Sequence, residues 1–236
     1  MLVDLHHHIL YGMDDGARTF EDTMQMILAA KAEGIVRIAA TPHAVPGREY
    51  FHMERYWRHL RKAQEWCSQN APEVELCSGA EIFYTEDTVR LLEEEKILTL
   101  NGTRNLLLEF PVRAPFEHLL HAARTVGNAG YQPVFAHAER YRCLRSLKNL
   151  RRLHEEFEVL IQINADSILH QDGWLFSRWM RHVLEEELAD AVASDAHNIK
   201  NRKCTLGECF DKLKHEYGEA CALRLCSETP ASLLTR

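Results

Sequence analysis

Short apolar runs alternate along the chain with longer stretches in which apolar residues recur at the spacing of an amphipathic helix. Runs of this length, bounded by polar or turn-forming residues, are typical of buried strands. The pattern predicts seven strands, at residues 2–5, 36–40, 74–77, 105–108, 134–136, 159–163 and 191–193. It predicts helices at residues 20–33, 54–69, 85–94, 116–128, 147–157, 174–187 and 206–217.

The order of these elements predicts the fold class. Strands that alternate with helices indicate β–α units and a parallel sheet, and therefore an α/β protein. Seven such units fit a barrel better than an open sheet, although periodicity alone does not close the barrel. No change in composition marks a linker, so residues 1–236 are predicted to form a single domain.

The first helix has recognisable boundaries. Thr19 is suited to be its N-cap, with Asp22 three positions further on, and Gly34 is suited to end it. Between them, Phe20, Met24, Ile27 and Leu28 are predicted to share one apolar face.

Composition excludes several classes of protein. The N-terminus has no basic segment followed by an apolar run, and no stretch of about 18 apolar residues follows, so neither a signal peptide nor a membrane span is predicted. The 7 cysteines are scattered, as expected of reduced thiols in the cytoplasm. A formal net charge of −7 argues against a nucleic-acid partner held by a general basic field.

Residues of the types that bind metals lie at the carboxyl ends of six predicted strand segments. These residues are His6, His8, His43, Glu81, Glu109, His137, Asp195 and His197. Because the carboxyl ends of the strands of a parallel barrel open on one face, these side chains are expected to meet there. A lone histidine at a strand end is usually structural, but this many ligand types in equivalent positions indicate a metal site.

Two pairs of ligands also have the spacing of neighbours on one side of a strand. Side chains alternate along a strand with a period of two, so His6 and His8 point the same way, as do Asp195 and His197. Imidazole mixed with carboxylate suits manganese, iron or zinc, whereas carboxylates alone favour magnesium or calcium.

The cysteines do not fit a thiolate-based phosphatase. That chemistry needs a cysteine and an arginine about six positions later in one phosphate-binding loop. The residues at that distance from the 7 cysteines are Glu73, Phe83, Asn149, Phe210, His215, Ser227 and Ser232. None is an arginine, so the cysteines are predicted to be packing residues.

Seven short motifs together resemble a known superfamily. They are DLHHH at 4–8, DDG at 14–16, TPH at 41–43, GAEI at 79–82, LEF at 108–110, AHAER at 136–140 and SDAHN at 194–198. The chain resembles the PHP (polymerase and histidinol phosphatase) superfamily, and more narrowly the CpsB/CapC-type protein-tyrosine phosphatases of bacterial capsule and exopolysaccharide operons. The likeness extends from Met1 to about residue 234.

The resemblance implies a distorted TIM-like (β/α)7 barrel, the PHP fold, that holds three divalent ions, with Mn²⁺ expected and Fe, Zn or Mg as alternatives. It implies that His6, His8, Glu81 and Asp195 bind the first ion; that Glu81, Glu109 and His137 bind the second; and that Asp14, His43 and His197 bind the third. Asp4 would support the ligating histidines without binding an ion itself. Arg140 and Arg202 would bind the phosphate, although Lys203 and Cys204 stand where the family pattern has prolines.

The implied reaction is hydrolysis of phosphotyrosine by direct attack of metal-bound hydroxide on phosphorus. The implied substrate is the tyrosine-rich tail of a capsule-associated tyrosine autokinase, met at the membrane without insertion of this protein. Three alternatives stay open: a small-metabolite phosphatase of the histidinol-phosphate type, a PHP-type nuclease, and a metal-stabilised binding module without catalysis.

Four further residues beside the motifs have open roles. Phe83, Tyr84 and Tyr141 follow ligand-bearing strands, where they could stack on a substrate ring or pack the rim of the barrel. Glu139 could hold Arg140 or face solvent.

Overall fold

The computed structural model describes residues 1–46, 51–171 and 173–235. Its strands are β1 (Leu2–His7), β2 (Ile35–Ala40), β3 (His43–Ala44), β4 (Glu75–Ser78), β5 (Glu81–Phe83), β6 (Asn105–Glu109), β7 (Gln132–Phe135), β8 (Leu160–Asn164) and β9 (Ala191–Ala193). All of the strand pairings are parallel. They form one sheet in the order β1-β2-β4 and another in the order β3-β5-β6-β7-β8-β9.

The two sheets are parts of one curled wall. β2 and β3 are separated only by residues 41–42, and β4 and β5 only by residues 79–80, so each pair is one barrel strand broken at a turn. The nine segments therefore make seven barrel strands. The N–H of Glu81 donates to Pro42 O at 3.1 Å, which continues the pairing across the breaks.

The barrel closes where the first strand meets the last. His7 forms a parallel bridge with Ala196, and the N–H of Asp195 donates to His6 O at 2.9 Å. Asp4 adds a side-chain link, because its buried carboxylate accepts hydrogen bonds from the Ser194 N–H at 3.0 Å and from the Ser194 hydroxyl at 2.5 Å. The predicted seven-stranded, TIM-like α/β barrel is confirmed.

The helices cover the outside of this wall and follow most of the predicted segments. They are α1 (Phe20–Ala32), α2 (Met53–Asn70), α3 (Thr88–Glu93), α4 (Phe116–Asn128), α5 (Leu147–Arg151), α6 (Ala165–Leu169), α7 (Trp174–Glu185), α8 (Leu206–Tyr217), α9 (Glu219–Leu223) and α10 (Thr229–Leu233). Thr19 caps α1 in a reciprocal capping box with Asp22, as its position predicts. No helix within the described ranges is both long and apolar enough to cross a bilayer.

The apolar core has two parts, one outside and one inside the barrel. The larger part packs the helices against the strands. The smaller part fills the barrel interior with buried side chains that include Leu5, Leu107 and Val134. Leu233 and Leu234, from the end of the chain, complete this inner cluster at the pole opposite the predicted ligands. The amide of Asn105 donates to Leu233 O at 2.7 Å and holds the chain end in place.

Candidate metal centre

The carboxyl ends of the strands bring one group of four ligand candidates together around β1. His6 Nε2 and His8 Nε2 lie 3.1 Å apart, and Glu81 Oε2 lies 3.3 and 3.4 Å from them. Asp195 Oδ1 completes the group at 3.6 Å from His6 Nε2 and 3.3 Å from His8 Nε2. This set is the one that the resemblance implied for the first ion.

A second group shares Glu81 with the first. Glu81 Oε1 lies 2.7 Å from His137 Nε2, and Glu109 Oε1 lies 3.7 Å from the same nitrogen. His43 Nδ1 lies between the two carboxylates, 2.9 Å from Glu81 Oε2 and 3.6 Å from Glu109 Oε2. Glu81 therefore has the position of a bridge between two neighbouring ion sites.

A third group lies on the other side of His8 and includes a residue that sequence reasoning missed. Asp15 Oδ1 lies 3.3 Å from His197 Nε2 and 3.5 Å from His43 Nε2. His8, Asp15, His43 and His197 each offer a ligand atom within 4.8 Å of the others. The group has the His43 and His197 that the resemblance implied for the third ion, with Asp15 as its carboxylate.

Asp14, which was expected in that third group, has a different place. Its Oδ2 lies 2.7 Å from His8 Nδ1 and accepts the backbone N–H of His43 at 2.9 Å. Its Oδ1 accepts the N–H of Gly16 at 2.9 Å. Both oxygens of Asp14 are thus hydrogen-bonded, whereas the neighbouring Asp15 points into the group.

Hydrogen bonds on the outer side of the rings fix which imidazole nitrogen faces the centre. His6 Nδ1 lies 3.1 Å from Gln162 Oε1, His8 Nδ1 contacts Asp14, and His197 Nδ1 lies 2.9 Å from a backbone carbonyl oxygen. Since these oxygens accept, each Nδ1 donates to its partner and each Nε2 faces the centre. Partners of this kind orient metal-binding histidines.

The donor set fits divalent cations. Glu81 Oε2 and His197 Nε2 are buried and have no hydrogen-bond partner among the described residues. The Nε2 atoms of His6 and His8 lie 3.1 Å apart, close enough for one cation to bind both. Buried polar atoms left without a partner cost roughly 1–3 kcal/mol each, and bound cations would remove that cost.

Two arginines flank the centre on the side of Asp195. Arg140 Nη2 lies 2.8 Å from Asp195 Oδ2, and Arg202 Nη2 lies 3.1 Å from Asp195 Oδ1. Arg202 Nη1 also reaches Asp15 Oδ2 at 3.4 Å. Both guanidinium groups line one cleft of about 360 Å³ and are partly exposed there, so they can reach an anion that approaches the ligands.

The loop that carries Arg202 is organised without the prolines of the family pattern. Asn198 Oδ1 accepts the backbone N–H of Arg202 at 3.2 Å and those of the two preceding residues at 2.8 and 2.9 Å. The N–H groups of His197 and Asn198 in turn donate to Arg202 O at 2.9 and 3.1 Å. These bonds close the loop, so its shape does not require prolines at Lys203 and Cys204.

Two of the ligand candidates near the arginines, His137 and Asp195, have an unusual backbone conformation and accept hydrogen bonds from, or donate them to, buried side-chain amides. His137 and Asp195 have positive φ angles of 32° and 53°, a conformation that is uncommon for residues other than glycine. Gln162 Oε1 accepts the His137 N–H at 2.9 Å, and Asn164 Nδ2 donates to Asp195 Oδ2 at 2.9 Å. Gln162 and Asn164 were not predicted, although they are two positions apart at the end of β8, as His6 and His8 are where β1 ends.

The aromatic residues beside the ligands pack the barrel. Tyr84 is 2% exposed and Tyr141 is fully buried, and both rings contact Phe110. The Tyr141 hydroxyl accepts the Phe110 N–H at 3.2 Å. Neither tyrosine ring is free to stack on a substrate, whereas Phe83 is half-buried at the end of β5.

Glu139 does not face solvent. Its side chain is buried, and Oε1 accepts the Ser167 hydroxyl at 2.8 Å and the Asn164 N–H at 3.3 Å. Burial raises the pKa of its carboxyl group. Glu139 therefore joins the turn that carries Arg140 to the start of α6.

Every cysteine is unsuited to act as a thiolate nucleophile. Burial raises the pKa of all 7 thiols, to about 11 for Cys67 and about 12 for Cys77. A reactive cysteine needs the opposite shift, produced by a nearby positive charge. The chemistry of this site therefore belongs to the histidines, carboxylates and arginines.

Comparison with known families agrees with this geometry. The sequence profile of the family described as "Capsular polysaccharide synthesis, CpsB/CapC" matches residues 2–235. The chain belongs to the CpsB/CapC family. As a CpsB/CapC protein it is 29% identical to tyrosine-protein phosphatase CpsB of Streptococcus agalactiae, over 99% of this chain and 98% of the relative.

Two further comparisons place it within the family. It is 32% identical to tyrosine-protein phosphatase YwqE of Bacillus subtilis, over 92% of this chain and 85% of YwqE. Its fold matches a crystal structure from a study of YwqE of Bacillus subtilis and CpsB of Streptococcus pneumoniae, described as unique metal-dependent tyrosine phosphatases. That match has a TM-score of 0.90 and 30% identity, and covers 99% of this chain and 94% of the other.

Proposed function

We propose that this CpsB/CapC protein is a metal-dependent tyrosine phosphatase, with residues 1–236 acting as one catalytic domain. The observation that carries the proposal is the convergence of Arg140 and Arg202 on Asp195, at the edge of a buried cluster of histidines and carboxylates. Two guanidinium groups beside a cation centre make a site for a phosphate dianion. A module that only bound metal would not need them.

We assign three divalent ions to the centre, with Mn²⁺ as the expected metal. The first would be held by His6, His8, Glu81 and Asp195, the second by Glu81, Glu109 and His137, and the third by Asp15, His43 and His197. When bound, such ions supply a water that is deprotonated near neutral pH and polarise the phosphoryl oxygens.

The residues of the chain itself bind and orient the substrate. Arg140 and Arg202 would exchange part of their pairing with Asp195 for hydrogen bonds to the equatorial phosphate oxygens, where charge develops during transfer. The leaving group is a phenolate with a pKa near 10, so a strong general acid is less necessary than for an alkyl phosphate. A site without a strong general acid therefore favours hydrolysis of phosphotyrosine over that of phosphoserine.

The proposed physiological substrate is the tyrosine-rich tail of a capsule-associated tyrosine kinase in the cytoplasm, which would link the enzyme to capsule or exopolysaccharide synthesis. The test compares the Mn²⁺-loaded protein on a phosphotyrosine peptide, histidinol phosphate and single-stranded DNA. We expect kcat/KM to be at least about 100-fold higher for the peptide than for histidinol phosphate. A preference for histidinol phosphate, or nuclease activity, would overturn the proposal.

Substitution of the phosphate-binding arginines should separate substrate binding from metal binding. Arg140→Ala is expected to leave the metal content unchanged and to lower kcat/KM for the peptide by about 10²-fold, because one charge-assisted contact to the transition state is lost. Arg151→Ala, which removes an arginine paired with Glu186 on the surface, is the matched control. Loss of metal from Arg140→Ala, measured by elemental analysis, would contradict the role assigned to this arginine.

The neighbouring residues Asp14 and Asp15 give a test of the third ion site. Asp15→Asn should lower the metal content by one ion per chain, because the carboxylate between His43 and His197 is lost. Asp14→Asn should still bind all of its ions at saturating metal, with an affinity about 10- to 100-fold weaker, since it weakens the hydrogen bonds that orient His8 and His43. The reverse result would restore Asp14 as the ligand.

A further inference from the structure

A second cleft, of about 940 Å³, lies beside the start of α7 and has an apolar rim. Trp174 is 68% exposed and Leu175 is 75% exposed, although both are large apolar side chains. Phe176 and Trp179 continue the surface inward as a near-parallel ring pair, with centroids 5.9 Å apart and planes inclined by 13°. We refer to this surface as the α7 cleft.

Arginines give the α7 cleft a positive edge. The Arg145 guanidinium carbon lies 4.2 Å from the centroid of the Phe176 ring, and that of Arg178 lies 5.6 Å from the Trp174 ring. A guanidinium that lies over a ring still presents N–H donors at its edge. Neither arginine forms an ion pair with a carboxylate within the ranges that the structure describes. The cleft therefore offers apolar surface beside two arginine side chains, and the carboxylate of Asp166 also lines it.

The α7 cleft adjoins the cleft that holds Arg140 and Arg202. Asp166, Ser167 and His170, on α6 and at its end, line both. One short helix therefore separates the phosphate-binding arginines from the exposed apolar rim. A helix with its side chains is about 10 Å across, which is the distance that about three residues of extended peptide span.

We propose that the α7 cleft binds the part of the phosphopeptide substrate next to the phosphotyrosine, and that it selects an apolar side chain about three residues away. This inference rests on the proposed phosphatase function. It specifies the feature of the peptide that the enzyme recognises, an apolar side chain near the phosphotyrosine. The positive edge from Arg145 and Arg178 favours a peptide that also carries acidic residues.

The size of the exposed patch favours a peptide over a second copy of the chain. Even fully exposed, two side chains as large as Trp174 and Leu175 present no more than about 500 Å². A stable dimer buries about 800 Å² on each partner. A single apolar side chain of a peptide needs far less surface, and its burial contributes about 1.5–3 kcal/mol, or roughly 10- to 100-fold in affinity.

The test uses full-length, Mn²⁺-loaded enzyme with three substrates: a phosphotyrosine peptide with leucine three residues from the phosphotyrosine on either side, the same peptide with alanine at those positions, and p-nitrophenyl phosphate. The double variant Trp174→Ala/Leu175→Ala is expected to raise KM for the leucine peptide about tenfold. It should change KM for the alanine peptide less than twofold and leave p-nitrophenyl phosphate turnover unchanged. Leu28→Ala, at another exposed leucine on α1, is the matched control.

Each other outcome has a distinct meaning. If the wild type does not prefer the leucine peptide, or if the variant lowers the turnover of all three substrates equally, the α7 cleft does not recognise the peptide. If peptide kinetics stay constant but light scattering shows a loss of mass, the cleft is a contact between copies and the inference fails. If the wild type hydrolyses p-nitrophenyl phosphate but neither peptide, or no phosphate ester at all, the proposed function itself fails.

Discussion

Replacing Glu81 with glutamine is expected to lower kcat/KM for a phosphotyrosine peptide by at least about 10³-fold, the largest effect of any single substitution in the centre. Its Oε1 lies 2.7 Å from His137 Nε2, and its Oε2 lies 2.9 Å from His43 Nδ1 and 3.3–3.4 Å from His6 and His8. A glutamine amide keeps one acceptor oxygen but puts an NH₂ group in place of the other. It can therefore no longer bridge two cations.

Elemental analysis should show that Glu81→Gln loses more than one ion per chain, because the bridge belongs to two of the assigned sites. Far-UV circular dichroism should stay unchanged, since the two side chains have nearly the same shape. Glu75→Gln, at an exposed carboxylate paired with Arg37, is the control and should keep full activity. A Glu81→Gln enzyme with more than a tenth of wild-type activity would rule out the bridging role.

Chelation is expected to abolish activity completely, and added Mn²⁺ should restore it, while thiol alkylation should leave at least about 80% of it at pH 7.5. The contrast follows from the chemistry of the donors. Imidazole and carboxylate groups without their ions leave the phosphate with two arginines and nothing to activate water. Five of the 7 cysteines are buried and Cys143 and Cys221 are half-buried. The pKa of every thiol is raised, to about 11 for Cys67 and about 12 for Cys77.

The measurement is turnover of an aryl phosphate before and after treatment with a chelator or iodoacetamide, with excess reagent removed by gel filtration. Restoration by Mn²⁺ in preference to Mg²⁺ would support the expected metal, because imidazole ligands suit manganese better. An enzyme that stays active after chelation but is inactivated by one equivalent of iodoacetamide would indicate a cysteine nucleophile instead.

The sequence predicts the barrel and most of the centre because both follow from simple periodicity. Seven apolar runs ended in polar residues, and a parallel barrel places all such ends at one mouth. The two broken strands were not predicted. β3 has only two residues and β5 only three, and pairs as short as His43–Ala44 carry no readable alternation. The turns before them deliver His43 and Glu81 to the mouth.

The details that sequence reasoning did not predict are those that depend on side-chain direction. In the pair Asp14–Asp15 both carboxylates have suitable chemistry, and only the backbone course of the turn decides that one contacts His8 and the other contacts His197. Gln162 and Asn164 were missed for a different reason. Neutral amides are rarely metal ligands, so two of them on an otherwise apolar strand do not indicate a metal site.

The leucines at the end of the chain determine how molecules can travel through the enzyme. Leu233 and Leu234 are buried at the pole opposite the ligands, in the apolar cluster that fills the barrel interior. Substrate and product are therefore expected to use the opposite opening, past the partly exposed guanidinium groups of Arg140 and Arg202.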